Sequence, residues 1–337
     1  MEQITAQDYL RRLQTAMEEE ERAEEEITAC CAYTSRLYGK GLPVLFDGEQ
    51  VKTVLRLKDL DWRQAYHSFF LPQRGKVRTI TAPSLPLKRR QRWILSTILS
   101  RLEPSPQAHG FVRGRSIRTN AEFHARHSYV LCLDIQDFFP SIPQNAVEKV
   151  FREAGYSHSA AAALAEVCCY EGVLPQGAPT SPTLSNLVFR ELDSQLAAEA
   201  SCGGITYSRY ADDLTFSANC DLGAFLDRVE ELLRAQKFSL NREKVHLYGP
   251  GTPKRITGLV VQNGTVRVPK AFKRKLRQEI YYCRKFGVLT HLENVKAEKH
   301  IHYREYLYGK AYYIHMVEPE EGMRLLGELD KIRWPYF

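Results

Sequence analysis

The fold is decided by residues 205–217, whose sequence is ITYSRYADDLTFS. The pattern predicts a short β-hairpin with Tyr210-Ala211-Asp212-Asp213 at its turn. Asp212 and Asp213 are adjacent like charges in a tight turn that lacks the Asn-Gly or Asp-Gly pair usually found there. Such a locally unfavourable arrangement indicates a functional site. The alternative for an isolated aspartate pair is ordinary solvated turn chemistry.

A predicted strand within residues 129–139 supplies a third carboxylate. Its residues alternate so that Asp134 falls among the buried positions of one strand face. A divalent cation would relieve the repulsion among the three acids, and their hard oxygens suit Mg²⁺ or Mn²⁺. Three acids on two neighbouring strands can hold two cations that align an attacking hydroxyl with a phosphate and stabilise the leaving oxygen. This arrangement is typical of polymerases.

The composition is that of a folded globular protein. Of the 337 residues, 44% are hydrophobic and 26% are charged, which excludes a wholly disordered or fibrous chain. The sequence contains no apolar run of 18 residues and begins with charge rather than with a signal segment, so we expect a cytoplasmic protein without membrane contact. The eight cysteines lack the spacing of a zinc site and are expected to be reduced thiols.

Charge is distributed unevenly along the chain. Lys and Arg number 47 against 40 Asp and Glu, and residues 1–28 hold nine of these acids in a predicted amphipathic helix. This helix either binds a partner or forms a surface layer. After Gly264 the chain is basic and helical, with aromatic residues between the basic ones. This pattern predicts a polyanionic partner, the alternative being a solvated helix face.

Three further motifs extend the acidic hairpin into an ordered series. They are Asp134-x-x-x-Phe138-Phe139, Pro175-Gln176-Gly177-x-x-x-Ser181-Pro182 and Asn241-x-x-Lys244. The series resembles the successive motifs of the reverse transcriptase family, and the resemblance runs from about residue 71 to residue 261. The resemblance implies an α+β fold shaped like a right hand, with fingers, a palm of antiparallel sheet and helices, and a helical thumb. The implied domains are an acidic helix at 1–28, fingers and palm at 29–264, and an RNA-binding thumb at 265–337.

The resemblance also assigns roles to individual positions. Two Mg²⁺ ions, with Mn²⁺ as a substitute, would be held by Asp134, Ile135, Asp212 and Asp213. Lys244 would protonate the departing pyrophosphate, and Phe139 would lie under the incoming sugar and exclude a 2′-hydroxyl, so that DNA is made. The dNTP would be bound by Lys76, Arg78, Phe139, Gln176 and Gly177. Outside the ordered series, Phe139 would be interpreted as core packing and Lys244 as a surface lysine.

Two elements favour the retron branch of the family. Asn120-Ala121-Glu122-Phe123-His124 resembles the Asn-Ala-x-x-His element of retron enzymes, and Ile256-Thr257-Gly258 resembles their Val-Thr-Gly element with Ile in place of Val. The branch implies a cognate structured noncoding RNA as template and 2′-hydroxyl primer, a branched RNA-linked DNA product called msDNA, and antiphage defence through a separate effector protein. The expected RNA-binding residues are Asn120, His124, Ile256, Thr257, Gly258, Lys273, Arg274, Lys275 and Arg277. For Asn120 and His124 the alternative is a helix cap and a packed histidine.

Three rival classes share part of this pattern. A group II intron-like enzyme normally carries a large splicing domain, for which too few residues follow Gly264. A diversity-generating enzyme usually changes the Gln176-Gly177 segment. A non-catalytic RNA-binding scaffold derived from a polymerase is expected to lose a metal ligand first, whereas the three aspartates are all present.

Overall fold

The structure, a computed structural model, describes residues 5–61, 64–73, 76–294 and 302–335, with only the backbone described at 72, 73 and 76–78. Its helices are α1 (Ala6–Glu19), α2 (Glu24–Gly39), α3 (Gly48–Val54), α4 (Leu85–Thr97), α5 (Ile117–Phe123), α6 (Gln144–Ala154), α7 (His158–Cys168), α8 (Ser181–Val188), α9 (Arg190–Cys202), α10 (Gly223–Ala235), α11 (Lys270–Phe286), α12 (Val288–Asn294), α13 (Tyr303–Val317) and α14 (Pro319–Asp330). Its strands are β1 (Tyr66–Gln73), β2 (Lys76–Pro83), β3 (Tyr129–Asp134), β4 (Thr206–Tyr210), β5 (Asp213–Ala218), β6 (His246–Tyr248), β7 (Lys254–Ile256), β8 (Leu259–Gln262) and β9 (Thr265–Arg267). Antiparallel sheets and separate helices confirm the predicted α+β class.

The chain forms two compact units, the first of which comprises Met1–Val112, Ile135–Leu196 and Glu230–Leu240. This unit is mainly helical and carries the antiparallel hairpin of β1 and β2. Its aromatic core includes the rings of Phe138, Phe189 and Phe238, whose centroids lie 5.0 to 6.4 Å apart.

The second unit comprises Arg113–Asp134, Ala197–Val229 and Asn241–Phe337. It contains a four-stranded antiparallel sheet of order β4-β5-β3-β6 and a three-stranded sheet of order β7-β8-β9. One hydrophobic core extends from α5 and β3 through β7 and β8 to helices α11 to α14, because each contributes apolar side chains to a single buried cluster. The predicted carboxylates Asp134, Asp212 and Asp213 all belong to this unit.

The acidic N-terminal segment differs from the single helix predicted at 1–28. In the described residues it forms two helices, α1 and α2, separated at Glu20–Ala23, where Glu21 adopts a positive φ of 56°. Consecutive glutamates repel one another across this break, which disfavours a continuous helix. The boundary at residue 28 falls inside α2, and the division into three domains stays a prediction.

Other expectations from composition can be compared with the structure directly. The eight cysteines are free thiols. Across the described ranges no helix is both long and apolar enough to span a membrane.

Candidate active site

The hairpin of β4 and β5 is confirmed, and its turn is strained. Tyr210 pairs with Asp213, so Ala211 and Asp212 form a two-residue loop. Ala211 has a φ of 57° whereas Asp212 keeps a negative φ, a pattern typical of type II′ turns, where glycine is usual at the first position. The fully buried Arg209 stabilises the loop by donating from Nη1 to the carbonyl oxygen of Ala211 at 3.1 Å. A strained loop that is fixed in this way is typical of a functional site.

The carboxylates of the sheet face each other across two strands. Asp134 on β3 is the register partner of Asp213 on β5, and only 6% of Asp134 is exposed. Burial, reinforced by the negative charges of Asp212 and Asp134, raises the pKa of Asp213 to about 7, although Lys244 opposes the shift. Like charge is therefore crowded at this end of the sheet.

Lys244 lies directly against this pair. Its Nζ donates to Asp134 Oδ2 at 2.7 Å, and the backbone N–H of Asn241 donates to the carbonyl oxygen of Asp134 at 2.8 Å. Residues Arg242–Lys244 form the 3₁₀ turn that places the ammonium there. In this structure Lys244 is the counterion of Asp134. The predicted transfer of its proton to pyrophosphate requires it to leave that carboxylate.

The donor chemistry of the site fits a divalent cation, because carboxylate oxygens crowded by like charge gain from a hard cation. Asp134, Asp212 and Asp213 would hold it, and it would supply charge stabilisation to a transferring phosphate. Within the part of the chain that the structure describes, however, no three His, Cys, Asp or Glu side chains are gathered closely enough to enclose a metal. The compensating charge on Asp134 comes from Lys244 instead. Ile135 belongs to the first unit and bridges to Leu240, so its role stays a prediction.

The predicted nucleotide-binding residues lie in the first unit. The backbone N–H of Thr81 on β2 donates to the carbonyl oxygen of Gln176 at 2.9 Å. Gly177 has a φ of 141°, and a Cβ there would lie 2.7 Å from the carbonyl oxygen of Thr81, so only glycine fits. The Gln176-Gly177 segment is thereby attached to the strand that carries Lys76 and Arg78. The side chains of Lys76 and Arg78 lie outside the described part of the structure.

Phe139 is half-buried, as a residue that meets a ligand should be. Its neighbour Phe138 is buried, and the two ring centroids are 5.5 Å apart. The ring of Phe111 lies 6.4 Å from that of Phe139, and Phe111 is half-exposed with a φ of 61°, which is rare for a bulky residue. Asn186 holds this loop by donating from Nδ2 to the carbonyl oxygen of Gly110 at 2.9 Å. No local sequence pattern marks the backbone conformation of Phe111, so only the structure places its ring beside Phe139.

The prediction that Asn120 and His124 contact RNA differs from the structure. Asn120 on α5 and His124, which directly follows α5, are both fully buried and hydrogen-bond to serines of the β4–β5 hairpin. Ile256 is also fully buried, within the hydrophobic core of the second unit. These three side chains are therefore inaccessible to RNA, because packing and protein hydrogen bonds already occupy them.

Thr257 and Gly258 form the turn between β7 and β8. Ile256 pairs with Leu259, and both loop residues have positive φ, 45° for Thr257 and 84° for Gly258, as in a type I′ turn. Thr257 Oγ1 lies 3.4 Å from the carbonyl oxygen of Ile117 at the start of α5. Gly258 is exposed, and a role in RNA binding stays a prediction for these two residues.

The four basic residues predicted to bind RNA on α11 fall into two pairs. Lys273 is largely buried and donates to both carboxylate oxygens of Glu318, at 2.7 and 2.9 Å. Arg277 lies 3.9 Å from Glu321 on α14. Arg274 and Lys275 are exposed and form no ion pair with any described residue. Lys273 is thus a packing residue of the helical region, and the exposed pair remains available for RNA.

Comparison with known proteins agrees with the motif order. The family described as "Reverse transcriptase (RNA-dependent DNA polymerase)" matches residues 61–280, which is more than half of the chain. The chain therefore belongs to the reverse transcriptase family. This membership confirms the predicted right-hand polymerase fold, and enzymes with this domain generally use divalent metal ions.

Named relatives indicate which branch of the reverse transcriptase family the chain belongs to. The chain is 35% identical over 311 residues to the Retron Mx162 reverse transcriptase of Myxococcus xanthus, covering 82% of this chain and 62% of that protein. It is 33% identical over 275 residues to the Retron Ec86 reverse transcriptase of Escherichia coli, covering 77% and 85%. It is 38% identical over 283 residues to the Retron Mx65 reverse transcriptase of Myxococcus xanthus, covering 77% and 63%. It is thus a retron-type reverse transcriptase, although it spans less than two thirds of the length of the two Myxococcus relatives.

Proposed function

We propose that this protein copies a cognate structured noncoding RNA into DNA, starting from the 2′-hydroxyl of an internal guanosine and producing branched msDNA. The substrates are dNTPs, and the metal is Mg²⁺, two ions, with Mn²⁺ as a substitute. The observation that carries the proposal is the pairing of Asp134 with Asp213 beside the strained Ala211-Asp212 loop. Excess negative charge at the end of a sheet is what a phosphoryl-transfer site that binds cations requires.

Each candidate residue has a part in the proposed reaction. Asp134, Asp212 and Asp213 would hold the divalent cations, which would supply charge stabilisation to the transferring phosphate. Lys244 neutralises Asp134, and its ammonium would donate a proton to the departing pyrophosphate. Phe139 excludes ribonucleotides by contact with the sugar, and Gln176 and Gly177 shape the dNTP pocket.

RNA recognition is assigned to the exposed residues of the second unit. Arg274 and Lys275 on α11 supply positive charge for phosphates, and the exposed turn at Thr257 and Gly258 lies in the retron element. Aromatic residues are exposed on the same helix, with 52% of Tyr281 and 53% of Phe286 accessible. We place RNA binding in residues 265–337 and the catalytic palm before them.

The decisive experiment is to express the protein with its own noncoding RNA and to sequence the nucleic acid that copurifies. We expect DNA joined to RNA, released as linear DNA only after treatment with a 2′,5′-debranching enzyme. The matched control is Asp212→Asn, which should copurify RNA without DNA.

Other outcomes would favour the rival classes. Unbranched DNA made by extension of an annealed 3′-hydroxyl would indicate a group II intron-like reaction. RNA without DNA in the unmutated protein would indicate a non-catalytic scaffold.

We further propose that the protein acts in the bacterial cytoplasm in antiphage defence together with a separate effector protein. The support is the retron relationship. The test is to challenge cells carrying the complete locus with a phage panel and to compare them with cells carrying Asp212→Asn. Equal plating of every phage on both strains would contradict the defence role while leaving DNA synthesis intact.

A further inference from the structure

The face of the sheet that carries the carboxylates also carries two buried serines. Side chains alternate along a strand, so Ser217 lies on the same face of β5 as Asp213, four residues away, and Ser208 shares a face of β4 with Tyr210. At about 3.3 Å per residue, Ser217 is roughly 13 Å from Asp213 along the strand. Both serines are fully buried. Contacts to these serines therefore restrain the same pair of hydrogen-bonded strands that carries Asp212 and Asp213.

A chain of hydrogen bonds joins these serines to α5 and the residues that follow it. Ser208 Oγ donates to Asn120 Oδ1 at 2.7 Å, and His124 Nε2 lies 2.7 Å from the same hydroxyl. Ser217 Oγ lies 2.6 Å from His124 Nδ1 and 2.8 Å from His127 Nδ1. We call this set of five residues the α5 chain.

The donors of the α5 chain run in one direction. Ser208 gives its single hydrogen to Asn120, so Nε2 of His124 must donate to Ser208. A neutral His124 then accepts at Nδ1 from Ser217, and Ser217 accepts from Nδ1–H of His127. Ser208, His124 and Ser217 each donate one and accept one of these bonds, so loss of either serine hydroxyl removes two hydrogen bonds of the α5 chain. Burial also lowers the pKa of His127, which favours the neutral ring this pattern requires.

The spacing of the Asn-Ala-x-x-His element follows from this geometry. Asn120 on α5 and His124 at its C-cap are four residues apart, and both side chains face the hairpin. Ala121 between them is buried in the core shared with β7 and β8. Glu122 and Phe123 are exposed, with 56% of Phe123 accessible. The helix thus joins the catalytic hairpin to the three-stranded sheet and exposes other residues to solvent.

We infer that Asn120 and His124 are positioning residues that hold the β4–β5 hairpin, and with it Asp212 and Asp213, in register with Asp134. This assignment rests on the proposed polymerase activity. A positioning role can be distinguished from RNA recognition by the Asn-Ala-x-x-His element. A positioning defect slows DNA synthesis on every template, whereas a recognition defect slows it only on the cognate RNA.

The test uses Ser208→Ala, Ser217→Ala and the double variant, assayed both on the cognate RNA and on a generic annealed primer-template at saturating concentration. We expect each single variant to lower kcat at least roughly tenfold on both substrates, with the KM for dNTP nearly unchanged. We expect the double variant to lose little more than either single variant, because the α5 chain acts as a unit. Thr215→Val, which removes a buried hydroxyl from the same hairpin outside the chain, and Phe123→Ala on the exposed side are the matched controls and should keep the generic kcat.

The outcomes separate the inference from the proposed function. Unmutated protein that extends neither substrate would contradict the proposed function. If the unmutated protein is active, an unchanged generic kcat in both serine variants, or a loss confined to the cognate RNA, would overturn the inference. Additive losses that parallel a falling melting temperature would also overturn it, because they describe general destabilisation. Should a serine variant melt below the assay temperature, His127→Gln at the half-buried end of the α5 chain gives the same kcat comparison, with the same result required.

Discussion

Charged residues are arranged in opposite ways in the β4–β5 hairpin and in the helical region of α11 and α14. At the hairpin, Asp134, Asp212 and Asp213 are like charges, and their repulsion together with burial raises the pKa of Asp213 to about 7. Along α11, by contrast, basic residues meet acidic residues of α14, as in the pairs Lys273–Glu318 and Arg284–Glu328. Crowded like charge at the hairpin is what the proposed cation site requires, whereas the ion pairs along α11 join helices to one another.

Asp212→Asn should have the largest effect on activity, and it tests whether the crowded carboxylates of the hairpin serve catalysis. Removing one of the crowded charges should lower nucleotide incorporation with Mg²⁺ by on the order of 10³-fold, since the cations lose a ligand that stabilises the transition state. RNA affinity and the melting temperature should stay close to those of the unmutated protein, because a repulsion and not an attraction has been removed. Single-turnover incorporation and a thermal melt measure both. An active Asp212→Asn protein would show that the hairpin carboxylates have no role in catalysis.

Arg274→Ala with Lys275→Ala tests whether the exposed basic residues of α11 serve RNA. We expect affinity for the cognate RNA to fall roughly tenfold and the slope of log K against log salt to decrease by about 2, one for each phosphate contact. Filter binding at several salt concentrations measures both quantities. Extension of a generic primer-template at low salt should change much less.

Lys273→Ala is the matched variant on the same helix. It should leave the RNA salt slope unchanged but lower the free energy of unfolding by about 1–3 kcal/mol, because Glu318 would be left largely buried without its cation. Glu318 would keep only the backbone N–H of Val268 as a described hydrogen-bond donor. If Lys273→Ala lost RNA affinity at unchanged stability, Lys273 would be an RNA-binding residue and not a packing residue.

The raised pKa of Asp213 predicts a pH dependence of stability in metal-free buffer. The carboxyl titrates near pH 4 in the unfolded chain and near pH 7 in the folded protein, so between these values only the folded state holds the proton. This group therefore lowers the free energy of unfolding as pH rises from about 4 to about 7. After discounting for its partial exposure, we expect roughly 1–2 kcal/mol. Asp213→Asn should flatten this part of the curve in urea titrations, and an unchanged curve would refute the charge crowding.

The sequence predicts the hairpin site because its signals are local. The adjacent aspartates in a turn without glycine are visible within residues 210–213, and the apolar strand that ends at Asp134 is visible within residues 129–134. The roles of Asn120, His124 and Lys273 depend on distant partners instead. The serines bonded to His124 lie 84 and 93 residues from it in sequence, and Glu318 lies 45 residues after Lys273. A basic run or a short motif does not show which of its residues will be buried against partners that lie far away in the sequence.

The smallest expected effect concerns Arg277, which is both a predicted RNA-binding residue and a member of an ion pair with α14. Arg277 was predicted to bind RNA, yet it lies 3.9 Å from Glu321, which already accepts two hydrogen bonds from Arg324 at 2.8 and 2.9 Å. The bonded guanidinium of Arg324, more than Arg277, lowers the pKa of Glu321.

Arg277→Ala should therefore change the free energy of unfolding by no more than about 0.5 kcal/mol, since the pair is half-exposed and Glu321 keeps its stronger partner. Its RNA salt slope should match that of the unmutated protein, in contrast to the Arg274 and Lys275 variant on the same helix. A slope reduced by about 1 would mean that Arg277 leaves Glu321 for a phosphate when RNA binds. Ion-paired residues of α11 could then also bind RNA, so an ion pair within the protein would not by itself exclude a role in binding.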